Sequence, residues 1–187
     1  MECEITLEQM LKARDERAEK QRKLIMKYEL PLISFTVNMP GARKSTALGT
    51  SIFLEGCCEI MKRLEDKGKL PVHHEARDLL TGSEAYVIVD MDGRALKELM
   101  LEIENAHPLG RLWDFDVIGR DGLTVSREAL GYPKRKCLLC DEDAHACARS
   151  RAHSLDELLR KIHSMADEYF GISLEHAEYD SACLSGK

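Results

Sequence analysis

The 187-residue chain has no apolar run that approaches the length of a membrane span. No transmembrane helix is therefore expected. It also lacks a basic excess: 27 Lys and Arg face 33 Asp and Glu, a formal net charge of −6. That balance argues against a general nucleic-acid binder. The N-terminus, Met1-Glu2-Cys3-Glu4, is acidic and carries no signal-peptide pattern. The seven cysteines are then expected in a reducing cytoplasm, as thiols, metal ligands or redox groups rather than as a disulfide framework.

What is present suffices for a core. Apolar residues make up 44% and charged residues 32%, in a length suited to one domain over 1–187. Charge is uneven. From Ser154 onward, seven acids (Asp156, Glu157, Asp167, Glu168, Glu175, Glu178, Asp180) meet three bases (Arg160, Lys161, Lys187), a local balance of −4. Lys134, Arg135, Lys136, Arg149 and Arg151 stand just before that stretch. A local basic site on an acidic protein suits an anionic small molecule or an acidic partner.

Thr6-Leu7-Glu8-Gln9 has the form of a capping box, and a helix is expected over 6–28, with Leu7, Leu11, Leu24, Ile25 and Tyr28 facing the body. Its middle, 12–23, is polar nearly all round. The common reading is a solvated helix laced by charge pairs. The functional reading is that Arg14 or Arg17 reaches a phosphate. Residues 31–37 read as a buried strand ended by the turn Asn38-Met39-Pro40-Gly41. Ala42-Arg43-Lys44-Ser45 then opens a helix expected to last to about Lys67. A strand, a turn carrying Arg43 and Lys44, and a helix start make an anion site in principle. The glycine spacing is not that of a Walker loop, and a plain surface remains the alternative.

A polar strand over 72–79 would put His73 and His74 on opposite faces, which argues against a metal pair. A clear strand follows over 84–90, and Asp92-Gly93 turns the chain into a helix over 94–106. Asp90 and Asp92 are read as a strand-ending turn. The next stretch is His107-Pro108-Leu109-Gly110-Arg111-Leu112-Trp113-Asp114-Phe115-Asp116-Val117-Ile118. With period two, Trp113, Phe115 and Val117 share one face and Asp114 and Asp116 the other. Two adjacent carboxylates repel unless water, a cation or a metal offsets them. Such a pair beside basic residues is what metal-dependent phosphoryl or nucleotidyl transfer needs. The plain alternative is a solvated strand face.

The order strand, helix, strand, strand, helix, strand is that of the ferredoxin-like split βαβ arrangement, an α+β fold. Its antiparallel sheet would carry both long helices on one face. The other face is left for the N-terminal helix or a ligand. The core is expected over 31–125, with 123–125 pairing back on the Asp114/Asp116 strand. A Cys-containing segment and a C-terminal helix over 126–170 and a loose tail over 171–187 complete the chain. In that segment, Cys137-Leu138-Leu139-Cys140 is followed by Cys147 and His153. Two thiolates from one tight turn with a third Cys and a His suit a closed tetrahedral zinc site. The alternative is two buried thiols and an unrelated pair. A redox role needs a thioredoxin-like setting, which is missing.

Taken together, Arg14-Asp15-Glu16-Arg17, Ser34-Phe35-Thr36, Pro40-Gly41 with Lys44, the run 107–117, Ser126-Arg127, Arg135, Cys137-Leu138-Leu139-Cys140, and Cys147-Ala148-Arg149 with His153 resemble the citrate lyase holo-acyl-carrier-protein synthases. These are also called apo-citrate lyase phosphoribosyl-dephospho-CoA transferases. The matches span roughly Arg14 to His153, in the family's order.

The resemblance implies a nucleotidyltransferase. The donor would be triphosphoribosyl-dephospho-CoA. The acceptor would be a serine of the acyl carrier (gamma) subunit of apo-citrate lyase, with pyrophosphate released. Asp114 and Asp116 would hold magnesium. Arg43, Lys44, Arg111 and Arg127 would neutralise the pyrophosphate, with Arg14, Arg17 and Arg135 as further substrate-binding candidates. His107 is a candidate proton shuttle or a structural residue at the bend. Lys134, Arg135 and Arg149 would suit an acidic carrier surface. Two rivals stand beside this reading: a zinc-stabilised, non-enzymatic adaptor, and the same chemistry on another carrier, such as that of malonate decarboxylase.

Overall fold

The computed structural model describes residues 4–171. The expected tail beyond Gly171, together with Cys3 and Cys183, lies outside them. Five α-helices and four strands follow in the order α1 (Leu7–Tyr28), β1 (Leu32–Val37), α2 (Ala47–Asp66), β2 (Pro71–Arg77), β3 (Glu84–Val89), α3 (Gly93–Ala106), β4 (Trp113–Ile118), α4 (Ala144–Ser150) and α5 (Leu155–Phe170). The sheet order is β2-β3-β1-β4, with every neighbouring pair antiparallel. This is the expected split βαβ core, with the N-terminal helix and the Cys/His extension added.

Local chemistry sets the element ends. Thr6 and Gln9 close a reciprocal capping box on α1, and Ser154 and Glu157 do the same for α5. Asp92 caps α3 through the amides of Arg94 and Ala95, so the second Asp-x-Asp is a helix entry. One boundary differs from expectation. α2 begins at Ala47 because Thr46 supplies the cap by accepting from Gly49 N–H. Arg43 and Lys44 thus lie in the loop before the helix and not in its first turn.

The two sheet faces have different jobs. Ile33, Phe35, Val87, Trp113, Phe115 and Val117 point to one side and pack with α2 and α3 residues such as Ile52, Ile60, Leu96 and Met100. On the other side, Leu32, Tyr86, Ile88 and Ile118 pack with Leu24 and Ile25 of α1. Leu7 and Leu11 do not join them; they are exposed, so only the C-terminal half of α1 is an apolar lid. Val125 N–H donates to Val117 O, and Thr124 bridges Ile118, so the 123–125 segment does return to β4.

Helix α2 comes closest to the sheet at Gly56. A Cβ there would meet the Phe35 ring, and Trp113 Nε1 at 3.0 Å. The same indole N–H donates to Ile52 O at 2.9 Å. Gly56→Ala is expected to lower unfolding stability by about 1–3 kcal/mol through overpacking, read as a lower urea midpoint.

Candidate active site

Strand β4 is an edge strand, and its position explains what surrounds the carboxylate pair. Register places Asp116 opposite Ser34 and Asp114 opposite Thr36 on β1. This is the face that α1 covers: Leu24 and Ile25 pack on Leu32, Ile88 and Ile118, Gln21 Nε2 donates to the Ser34 hydroxyl at 2.9 Å, and Arg17 reaches Glu84. Asp114 and Asp116 are both open to solvent. Even so, the surrounding protein pushes the Asp116 carboxyl above its ordinary range; Asp114 adds to the push, and Lys97 opposes it. Two adjacent carboxylates, one of them raised in part by the other, are a site with negative charge to spare.

The outer edge of β4 meets the 123–125 segment at Val117 and Ile118 and has no strand partner from Trp113 to Phe115. Side chains satisfy its backbone groups instead. Lys97 Nζ, buried on α3, donates to Phe115 O at 2.6 Å. Glu104 Oε1, also buried on α3, accepts from Phe115 N–H at 3.4 Å. Arg135 Nη2 donates to Trp113 O at 2.8 Å. Glu104 Oε2 also receives Arg127 Nη2 at 2.5 Å and Arg135 Nη2 at 2.9 Å. Arg135 Nη1 lies 3.7 Å from Asp114 Oδ1. Burial pushes the Lys97 ammonium down, while Glu104, Asp116 and Asp114 hold it up. Lys97, Glu104, Arg127 and Arg135 thus form one charged network on the flank of the pair.

Sequence reasoning named Asp114, Asp116, Arg127 and Arg135, and the structure brings these together. It missed Lys97 and Glu104. Both sit at buried positions of an amphipathic helix, a local violation of the apolar stripe that could have marked them.

Other expected residues are placed elsewhere. Arg17 is bound to the buried carboxylate of Glu84 at 2.9 Å, where Arg77 and the Tyr86 hydroxyl also converge. Arg14 is exposed near Lys44; burial first and Arg14 second push the Lys44 ammonium down. Lys44 Nζ donates to Met39 O. Arg43 is exposed and 3.7 Å from Glu4. His107 packs on Trp113 and Tyr169, with ring centroids at 4.4 and 4.8 Å. Trp113 is on the core face, so His107 is across the sheet from the carboxylates. Its Nδ1 accepts from Leu109 N–H, and burial lowers its pKa. Arg111 Nη2 donates to Lys136 O at 3.0 Å and Cys137 O at 2.5 Å, fastening the segment that carries Arg135.

That segment runs into the cysteine cluster. The ligand atoms of Cys137, Cys140, Cys147 and His153 all lie within 4.8 Å of one another. Cys140 Sγ is 3.5 Å from Cys147 Sγ and 3.2 Å from His153 Nε2. A tetrahedron with bonds of roughly 2.3 Å has edges of roughly 3.7 Å, so the four can hold a metal ion. Burial raises the Cys137 thiol, but the amides of Leu139 and Cys140 and the other thiols outweigh it and bring it down to about 7. Cys147 is pushed up by burial and by its neighbouring sulfurs, as expected when thiols crowd without a cation.

A family model described as apo-citrate lyase phosphoribosyl-dephospho-CoA transferase matches residues 5–169. The chain belongs to this transferase family. A Vibrio cholerae protein named "Probable apo-citrate lyase phosphoribosyl-dephospho-CoA transferase" is 41% identical over 88% of this chain and 93% of its own. A Citrobacter koseri protein named "Apo-citrate lyase phosphoribosyl-dephospho-CoA transferase" is 34% identical over 86% and 88%. The Haemophilus influenzae "Protein CitXG" is 38% identical over 98% of this chain but 40% of its own length. The family match includes the carboxylate strand, its charged flank and the cysteine cluster of this transferase. Among the described residues no helix is long and apolar enough to cross a membrane.

The raised Asp116 carboxyl makes a signed forecast. The metal-free folded protein holds this proton to higher pH than the unfolded chain does. Asp116 therefore costs stability once pH rises above the ordinary carboxylate range, and costs nothing below it. Asp116→Asn should raise the melting temperature at neutral pH in EDTA. The gain should vanish near pH 3, as read in paired thermal melts.

Proposed function

We propose that this chain transfers the phosphoribosyl-dephospho-CoA group from triphosphoribosyl-dephospho-CoA to a serine of the acyl carrier (gamma) subunit of apo-citrate lyase, with release of pyrophosphate. The observation that carries this reading is the exposed Asp114/Asp116 pair on the edge strand, flanked by Lys97, Arg127 and Arg135, in a member of this family. The reaction is nucleotidyl transfer. The serine hydroxyl attacks the phosphorus nearest the ribose, the bond to the next phosphate breaks, and the electron pair leaves with pyrophosphate. The acceptor brings the nucleophile, so this chain needs to position, neutralise and exclude.

The residues fit a divalent cation. Asp114 and Asp116 are both exposed on one side of β4, and burial together with the Asp114 charge raises the Asp116 carboxyl. Asp114 and Asp116 would hold Mg²⁺, which would offset phosphate charge and make the attacking hydroxyl more acidic. Arg127 and Arg135 are built to take the charge that develops on the leaving phosphates. Arg14, Arg43 and Lys44 serve as outer cations toward the donor. Arg17, Arg111 and His107 act through the fold: each is committed to a buried carboxylate, a backbone carbonyl or a ring stack. Cys137, Cys140, Cys147 and His153 hold a structural Zn²⁺ that fixes the 134–137 segment. The protein works in the cytoplasm, with no nucleic-acid or membrane partner.

The deciding experiment is a mass spectrum of apo carrier subunit incubated with this protein, donor and magnesium. The expected gain equals the donor less pyrophosphate and disappears with EDTA. Asp114→Asn should cut the rate at least 100-fold while its melt stays cooperative; full activity would overturn the metal role. A separate assay covers the zinc. Metal analysis should find about one zinc per chain in the wild type and markedly less in Cys140→Ser, with transfer by the zinc-free protein weakened rather than abolished.

A further inference from the structure

A cleft of about 210 Å³ opens between the end of α3 and the 132–136 segment. Asp114 and Asp116 do not line it. Five of its lining side chains are cationic, Arg111, Arg127, Lys134, Arg135 and Lys136, against a single carboxylate, Glu104. On a protein of net charge −6, that is a concentrated reversal of sign.

Glu104 does not neutralise this cleft. It is buried, and one of its oxygens, Oε2, takes both Arg127 Nη2 and Arg135 Nη2, at 2.5 and 2.9 Å. A single carboxylate oxygen thus aligns two guanidinium groups and leaves their combined charge in excess. Two half-buried like charges held together repel, unless an anion joins them. Lys136 contributes least, because Asp141 pairs with it at 3.0 Å in solvent. Arg127, Arg135 and Lys134 remain to face a ligand. Guanidinium forks match phosphate oxygens in pairs.

Size narrows the ligand. The cleft is smaller than the roughly 300–1,000 Å³ that holds a drug-sized molecule, and its walls are charged rather than apolar. A nucleotide base and ribose do not suit it; a small polyanion does. Position narrows it further. Arg135 lines the cleft, and its Nη1 is also 3.7 Å from Asp114. One guanidinium therefore spans the distance between the cleft and the carboxylate pair.

We propose that this cleft is a diphosphate site, and that Glu104 is the positioning residue that sets its two arginines. The inference rests on the transfer reading for the identity of the occupant, the pyrophosphate that leaves. In that step a bond forms from the serine oxygen to the phosphorus nearest the ribose. The bond from that phosphorus to the oxygen it shares with the second phosphorus breaks. Its electron pair goes to the pyrophosphate oxygen beside Arg135, and the hydroxyl proton passes to water.

The test uses inorganic pyrophosphate as probe, with the full chain in EDTA and isothermal titration as readout. Wild-type protein should bind it at least 10-fold more tightly than orthophosphate or sulfate. Lys134→Gln, at an exposed position, and Arg127→Gln should each weaken it, the latter at least 10-fold. Glu104→Gln should weaken it while Glu104→Asp partly restores it. Equal affinity for sulfate, or unchanged binding in both Lys134→Gln and Arg127→Gln, would overturn the site. The two readings fail separately. Pyrophosphate binding without any mass gain on the carrier keeps the cleft and removes the transfer. A mass gain with no pyrophosphate binding keeps the transfer and removes the cleft.

Discussion

The alternation of strand β4 against β1 is the constraint on which the rest depends. Trp113, Phe115 and Val117 are buried in the main core, and Trp113 is further tied by its indole N–H to α2. With those three inside, period two leaves Asp114 and Asp116 no place but the opposite face. A slip of one residue would bury two carboxylates and expose a tryptophan, so the core enforces the register. The same packing that holds the sheet together therefore presents the charged pair. Its electrostatic strain is borne by stability elsewhere, as with other functional sites that break the rules of their own fold.

Because β4 is at the edge, its outer backbone groups need partners. An ordinary edge strand would leave them to water or block them with charge. Here Lys97, Glu104 and Arg135 reach them directly. Those side chains become a charged network only because each has a second contact: Lys97 with the field of the aspartates, Glu104 with two arginines, Arg135 with Asp114. Arg135 comes from a segment with little regular structure of its own. Arg111 holds it by two carbonyls, Cys137 N–H donates to Glu142 O, and the cysteine cluster follows at once. The proposed zinc thus has a clear structural reason to exist. It replaces the packing that a small extension cannot supply for itself.

Much of this was legible in the residues. Capping boxes, the apolar stripes of α2, α3 and α5, and the element order led to the split βαβ sheet. The period-two reading of 113–117 placed the carboxylates on the correct face, and Cys-x-x-Cys with Cys147 and His153 marked a cluster that does form. The rest is long-range. No local pattern states that Arg17 is claimed by Glu84, 67 residues away, or that Arg111 is spent on Cys137, 26 away. Lys97 and Glu104 interrupt the buried side of α3, but their partner is a strand edge that only the fold brings beside it. The start of α2 was misplaced because Thr46, and not the Arg43-Lys44 pair, offers the better cap. The first turns of α1 are apolar at Leu7 and Leu11, yet both side chains are exposed.

The most direct test of the central claim, that the β4 register creates a divalent cation site, is paramagnetic broadening of the ¹⁵N-labelled protein by Mn²⁺. Amide signals of residues 34–36 and 114–116 should broaden first, at manganese far below the protein concentration. They should stay sharp in a double variant carrying Asp114→Asn and Asp116→Asn. Broadening centred instead on Asp90 and Asp92, or broadening of 114–116 that survives the double substitution, would contradict the claim.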